Sequence, residues 1–533
     1  MTDVATRVES TGFYAGQNRL VAVAVKVVVV SLVLWASLAP DAGAILMEIQ
    51  AATISYFRGW YVYASGLFMV MALLLAVVPK TARIRLGADT DRPEFSRFAW
   101  FSMMFGAGIG VGMLTYSTAE PLAHFANNPD VILGATTALE RDNLAAAYKW
   151  TLLHYGLTPW GCYAIVGMSL AYFAYRRNMP LTIRSPFTAV LSAESGRRIG
   201  GVVDAAAILA TIIGIGVTIG YGVNQLAFGM HQITGWEWLV SEGRPSLTAL
   251  FVAVVFLTLA AMLSALSGIG RGIRWLSNLN MALSWLLLLI FVIFGATAFA
   301  GEMFVAGLLE YLSQIGQMSV TVWSSTDTPT ARALSDWQSA WNIFYWAWWI
   351  AFTPFVGLFL ARVSRGRTIG EYVVGAILAP SLMCFAWFCI IGGTALDLEL
   401  SGVAEGSILG ADLSAQLFAT VKSLFSASWV LPVSTLCTLL LITYLVTSAD
   451  SAVLVINTIV SGGSEDGTHS RHIVLWSVLL GLVIITLLIA GGMDALRSVM
   501  IIGALPFSAV MLFMLCALLY AIWKDESAPR TEG

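Results

Sequence analysis

Three aromatic residues of one apolar stretch, Tyr155, Trp160 and Tyr163, fall within an arc of about 140° when the chain is wound at 100° per residue. A second stretch, residues 344–357, sets Trp348, Trp349 and Phe352 just before Pro354. Rings converging from two helices would form a box, and a box of rings has a definite chemical use. A quaternary ammonium has no N–H to donate, so hydrogen bonds cannot hold it. Ring faces attract it through their quadrupoles, by ~2 kcal/mol or more once water is removed. Interfacial belts also gather Trp and Tyr. A belt accounts well for Trp341 and Tyr345, and less well for Trp348, Trp349 and Phe352, which lie beside the proline. No carboxylate sits obviously beside the rings. Glu120, Asp450, Asp204 and Lys149 read as helix-end or structural charges, and His154 as a core histidine. A site that binds a cation without a carboxylate suits a zwitterion, which brings its own.

The second chemical feature is Phe-Gly-Ala-Gly-Ile-Gly-Val-Gly at residues 105–112. Each glycine costs an isolated helix about 1 kcal/mol against alanine. Bare backbone at membrane depth persists only where protein or a watered cavity satisfies it. Close helix packing through small residues is the plainer reading. A broken helix that binds substrate and ion near the midplane is the sharper one. Freed N–H groups around Gly108, Gly110 and Gly112 could then meet a substrate carboxylate. Thr447 and Ser448 offer hard oxygens of the kind sodium prefers, with carbonyls from the glycine break. On that segment alone, hydroxyls bonded back to the preceding turn are the simpler account.

These groups need apolar helices to position them. The chain has 533 residues, 58% hydrophobic and only 11% charged. Soluble proteins carry roughly 25% charged residues, so this is an integral membrane protein. Its net charge of −3 gives no reason to expect nucleic acid. The five cysteines lie in apolar spans without zinc-ligand spacing and read as core residues rather than a disulfide framework. The N-terminus has no cleavable signal pattern. A spanning helix needs about 20 apolar residues. Twelve candidates run over 20–38, 59–78, 98–116, 152–175, 205–230, 247–266, 281–298, 337–360, 373–392, 431–459, 473–490 and 499–523. Loops after even-numbered spans are basic, and loops after most odd-numbered spans are acidic. Basic loops stay cytoplasmic, which places both termini there.

Pro354 should interrupt the eighth span as the glycines interrupt the third. The two breaks are five spans apart, as inverted five-helix repeats require. The resulting organisation is a cytoplasmic segment 1–19, two additional helices with a basic loop over 20–97, and a first repeat over 98–300. An external connector over 301–336 follows, with an amphipathic helix at 303–312; then come a second repeat over 337–523 and a short cytoplasmic tail, 524–533. Residues 411–425 could form another surface helix. The spans hold no His-Glu-x-x-His, no Gly-x-Ser-x-Gly and no clustered acid–base pair, which argues against a membrane-embedded enzyme.

Several segments together resemble the betaine/choline/carnitine transporter (BCCT) family. They are the glycine run ending in Thr118-Ala119-Glu120-Pro121, Pro159-Trp160 with Tyr163, and Ser267-Gly268-Ile269-Gly270-Arg271-Gly272-Ile273 with Leu276-Ser277-Asn278. Residues 344–357 with their Arg362-Val363-Ser364-Arg365-Gly366-Arg367-Thr368 continuation, and residues 446–451, complete the set. The resemblance implies an all-α membrane protein of about twelve helices, with two LeuT-like inverted repeats after two extra helices, and often a homotrimer in the bacterial inner membrane. It implies uptake of a small onium solute, with sodium as coupling ion and no other cofactor.

Carried over by position, the cage would be Tyr155, Trp160, Tyr163 and Trp349, with Trp348 and Phe352 on the substrate path. The sodium site would use carbonyls of Gly106, Ile109 and Tyr444 with Thr447 and Ser448. A second sodium site would involve Thr211 and Phe355, but Ile215 replaces the partner threonine. Tyr155 and Phe352 stand where betaine-specific members usually carry Trp. Gly112 matches sodium-coupled members, whereas proton-coupled choline members tend to carry Asp. Alternatives are a sodium-independent exchanger, a proton-coupled choline or carnitine carrier, or a carrier of dimethylsulfoniopropionate or a methylamine oxide.

Overall fold

The computed structural model describes residues 8–9, 11–106, 110–267, 274–464 and 469–527. Among these, nine continuous helices are long and apolar enough to cross a membrane. Seven carry one span each: Arg19–Leu38, Ala42–Val77, Glu194–Thr234, Leu247–Ser267, Trp275–Phe294, Ile369–Leu400 and Ala427–Val460. Pro329–Val363 is the eighth span with an entry turn. The ninth helix, Ser470–Asp525, folds back at Gly491 and Gly492, whose backbone is non-helical, and so holds two spans. Gly492 has φ +64°, a region that favours glycine. Two further spans are each broken into two shorter helices. The third consists of Arg97–Gly106 and Val111–Ala126, and the fourth of Leu144–Tyr155 and Leu157–Ala171. The chain is therefore an all-α, multi-pass membrane protein with twelve spans among its described residues.

Loop contacts agree with strict alternation. The loop after the second span pairs with the loop after the eighth, through Leu86 N–H to the Arg367 carbonyl (2.8 Å) and Ile369 N–H to Ile84 (2.9 Å). Arg176, after the fourth span, reaches Asp89 at 2.8 Å on the same face. On the opposite face, Lys149 holds Asp130 at 2.9 Å, and Gly43 lies against Ala490 and Gly491.

Helix neighbours repeat with a period of five. The fourth span packs on the eighth, as the third packs on the ninth. The seventh packs on the tenth, as the twelfth packs on the fifth; Gly503 faces Ile213 there. The sixth packs on the tenth as the eleventh packs on the fifth, and the fifth and tenth pack on each other. A unit of five spans begins its second copy on the opposite side of the membrane, so the repeats are inverted. The first two spans stand outside this pattern.

Three expectations are corrected, at Pro354, in the connector helix and at Cys516. The eighth span is not interrupted at Pro354: helix Phe344–Val363 runs straight through it. Proline leaves the Ile350 carbonyl without its usual donor, and the Thr353 hydroxyl supplies one at 2.7 Å. The irregularity lies upstream, in a wide helical turn at Ser339–Ile343. The fourth span breaks at Gly156, and Pro159 sits in the first turn of Leu157–Ala171, where its missing N–H costs little. Two side chains serve the groups that this break frees. The Leu157 N–H donates to the Tyr311 hydroxyl (2.9 Å), and the Trp160 indole donates to the Tyr155 carbonyl (3.1 Å). Tyr311 belongs to Thr297–Met318, the connector helix, which is twice the expected length. Gln416–Leu424 forms the second short helix. Cys516 is exposed rather than in the core.

Candidate functional site

The third, fourth and eighth spans enclose a cavity of about 470 Å³ with the fifth, seventh and tenth. Its aromatic wall is Tyr155, Tyr163, Tyr345, Trp348, Trp349 and Phe352. Trp349 is the centre of this wall. Its ring centroid lies 5.1 Å from Tyr163, 5.8 Å from Tyr155 and 5.8 Å from Trp160, each ring tilted or edge-on. Trp160 is fully buried and does not line the cavity; it backs Trp349 and Tyr163 from behind. Trp348 donates its indole N–H to Thr218 (3.1 Å) and stacks on Tyr221, which puts it on the closed side of the cavity. Phe352 lies one turn further toward the open end, 6.2 Å from Phe355.

The glycine break forms part of the same wall. Gly110 has extended backbone and precedes the helix Val111–Ala126, and Gly110, Val111 and Gly112 all face the cavity. A helix start here presents first-turn amides to a ligand. A side chain at Gly112 would meet Trp348 at 3.3 Å and Tyr155 at 3.7 Å, so the glycine keeps the rings close to bare backbone. Gly108 and Ile109 lie outside the described residues. Gly106 ends the first half of the broken span.

Hard oxygens adjoin this wall. Tyr444, Thr447, Ser448 and Asn280 line the cavity. The Thr447 hydroxyl donates to its own helix, at Thr443 (2.9 Å) and Tyr444 (3.1 Å), and accepts from the Asn280 amide at 2.9 Å. The simpler back-bonded geometry is thus present, yet the hydroxyl oxygen still faces the cavity. The buried Asn280 Oδ1 has no hydrogen-bond partner. An orphaned amide oxygen next to the Thr447 hydroxyl, in a cavity that Ser448 also lines, fits a cation such as sodium. Thr211 is not in this set. Its hydroxyl donates to Ala207 (2.8 Å) and it does not line the cavity, whereas Phe355 does.

Tyr345 corrects the belt reading: it is fully buried, and it lines the cavity. Its hydroxyl donates to Glu120 and lies 3.2 Å from the Tyr155 hydroxyl. Glu120 also binds His154 Nδ1 (2.5 Å) and His124 Nε2 (3.3 Å), and His154 Nε2 meets Asn342 at 2.9 Å. Glu120, His124 and His154 thus form a buried acid–base cluster, contrary to the expectation of none in the spans, and Glu120 lies within helix Val111–Ala126 rather than at a helix end; the cluster braces the cage. The available signal was the adjacency of His154 to Tyr155 and the four-residue spacing of Glu120 and His124. Lys149 is spent on Asp130 and Gln314, and Asp450 on Ser264.

A betaine/carnitine/choline family transporter model matches residues 19–527. The chain belongs to this family. The glycine betaine transporter OpuD of Bacillus subtilis is 34% identical over 495 residues, covering 93% of this chain and 92% of OpuD. The osmo-dependent choline transporter BetT2 of Acinetobacter baylyi is 37% identical, covering 89% of this chain and 66% of BetT2. The high-affinity choline transport protein of Escherichia coli K12 is 34% identical, covering 90% of this chain and 68% of its own. The aromatic wall and glycine break therefore belong to a membrane transporter of the BCCT family, not to an enzyme.

Proposed function

We propose that this BCCT transporter takes up a small quaternary-ammonium or related onium solute, glycine betaine-like, by sodium symport. The carrying observation is Trp349, surrounded by Tyr155, Tyr163 and Trp160 and facing the cavity beside Gly110–Gly112. Rings hold the onium head, and helix-start amides receive a carboxylate. Sodium would use Thr447, Ser448, the Tyr444 carbonyl, Asn280 Oδ1 and the carbonyls of Gly106 and Ile109. Binding there draws the tenth span toward the broken third span, so the cage closes best when the ion is present. A second sodium at Thr211 and Phe355 lacks a comparable oxygen set.

The cavity runs toward Ser102, Asn278, Phe359 and Ser451, close in sequence to Arg97, Arg274 and Arg362 of the basic loops. With basic loops cytoplasmic, this is an inward-facing state, and both termini are cytoplasmic. Concentrative uptake of labelled glycine betaine into proteoliposomes, with sodium replaced by potassium at fixed pH, tests the coupling. Uptake that survives the replacement refutes sodium symport and leaves exchange or proton coupling.

A further inference from the structure

An arginine stands on the sealed side of the cavity. Arg497 lies one and a half turns beyond the Gly491–Gly492 bend, on the face of the acidic loops. It is part-buried. Its guanidinium is 4.4 Å from the Phe344 ring centroid and 5.9 Å from that of Tyr221. Among the described residues it forms no ion pair within 4 Å; Asp494, one turn earlier and exposed, acts on it only through space. Charges within spans are expensive and mark substrate pathways, and each calls for a partner.

The rings beneath it are those that seal the cavity. Phe344 is 5.3 Å from Trp348, Tyr221 is 5.7 Å from Trp348 and Tyr116 is 5.6 Å from Tyr345. Trp348 and Tyr345 line the cavity itself. One layer of buried rings thus separates the guanidinium from the binding space. The guanidinium occupies ring faces that an incoming onium head would also seek.

We infer that Arg497 is an outer capture point for the carboxylate of a zwitterionic solute, and that it favours carboxylate-bearing onium solutes over onium alcohols. This rests on the onium reading above and narrows it to a substrate class. A zwitterion replaces the guanidinium on the rings with its own cation and returns a carboxylate for the guanidinium to bind, in the bidentate geometry arginine prefers. An onium alcohol displaces one cation with another and offers no counter-charge. The exchange loosens the Arg497–Phe344 contact only when the arriving solute carries both charges.

Uptake of glycine betaine and choline, which share the trimethylammonium head, tests this in proteoliposomes. Arg497→Gln is expected to raise KM for betaine about ten- to hundredfold more than KM for choline. Arg497→Lys should recover part of that difference. Equal losses for both solutes, or a fall in maximal rate alone, would assign Arg497 a structural role and overturn the inference. Should the Gln variant fail to fold, the wild type still decides: betaine methyl ester, lacking the carboxylate charge, should compete from outside at least tenfold more weakly than betaine. An ester that competes equally overturns the inference. Wild-type uptake of choline without betaine overturns it while sparing the onium reading, whereas uptake of neither refutes both.

Discussion

Replacing Trp349 separates electrostatics from shape. Trp349 meets Tyr155, Tyr163 and Trp160 at 5.1–5.8 Å and is half-buried at the cavity wall. Trp349→Leu keeps an apolar surface and removes the ring face. A desolvated cation–ring contact contributes about 2 kcal/mol, and 1.4 kcal/mol is tenfold in Kd. The Leu variant should therefore bind glycine betaine roughly 30-fold more weakly. Trp349→Phe retains a ring and should lose less than about tenfold. The decisive control is a neutral analogue in which a tert-butyl group replaces trimethylammonium. It fills the same volume, so the Leu and Phe variants should bind it within about threefold of each other. Binding is read by calorimetry on purified protein in sodium. If the Leu variant weakens the neutral analogue as much as betaine, the wall acts by shape and the cage chemistry is wrong.

Other perturbations probe the supports. Glu120→Ala leaves His154, His124 and Tyr345 without their shared acceptor; it should cost about 3 kcal/mol, seen as a lower thermal midpoint. Tyr311→Phe removes the acceptor of the Leu157 N–H at the Gly156 break, and about 1–3 kcal/mol of stability should go with it. Gly112→Leu should abolish uptake because Trp348 and Tyr155 already crowd that position, while Gly110→Ala, with open space at its Cβ, should be well tolerated; measured uptake against surface expression distinguishes them. Thr447→Ala should raise the sodium concentration for half-maximal uptake several-fold without a matching change in fold stability.

Helix existence was legible in composition and loop charge because those signals are local. The first span runs over Arg19–Leu38, within one residue of its expected start. The second is 36 residues long rather than about 20, because its start carries Glu48 and Gln50 and lowers the apolar signal. Pro354 misled because the remedy is a neighbouring hydroxyl: Thr353 caps the freed carbonyl, and proline alone does not reveal that. Tyr345 was mistaken for a belt residue because its burial depends on Glu120, 225 residues away in sequence. Trp349 and Tyr163 were legible since ring type and helical spacing carry most of the chemistry. The withdrawal of Trp160 behind them was not, because it follows from the break at Gly156, where its indole caps the Tyr155 carbonyl.

The odd count of spans per repeat bears on how a second conformation could be encoded. Two halves of one motif, inserted upside down relative to each other, can trade shapes. If the first half took the bend of the second and the second took that of the first, the channel now ending at Ser102 and Asn278 would shut and its counterpart would open near Arg497. The trade is imperfect here, since a glycine gap in one half answers an unbroken proline helix in the other. If that inequality biases the balance between the two shapes, a substitution at Thr353, whose hydroxyl serves the carbonyl that Pro354 frees, should shift it without touching solute or ion.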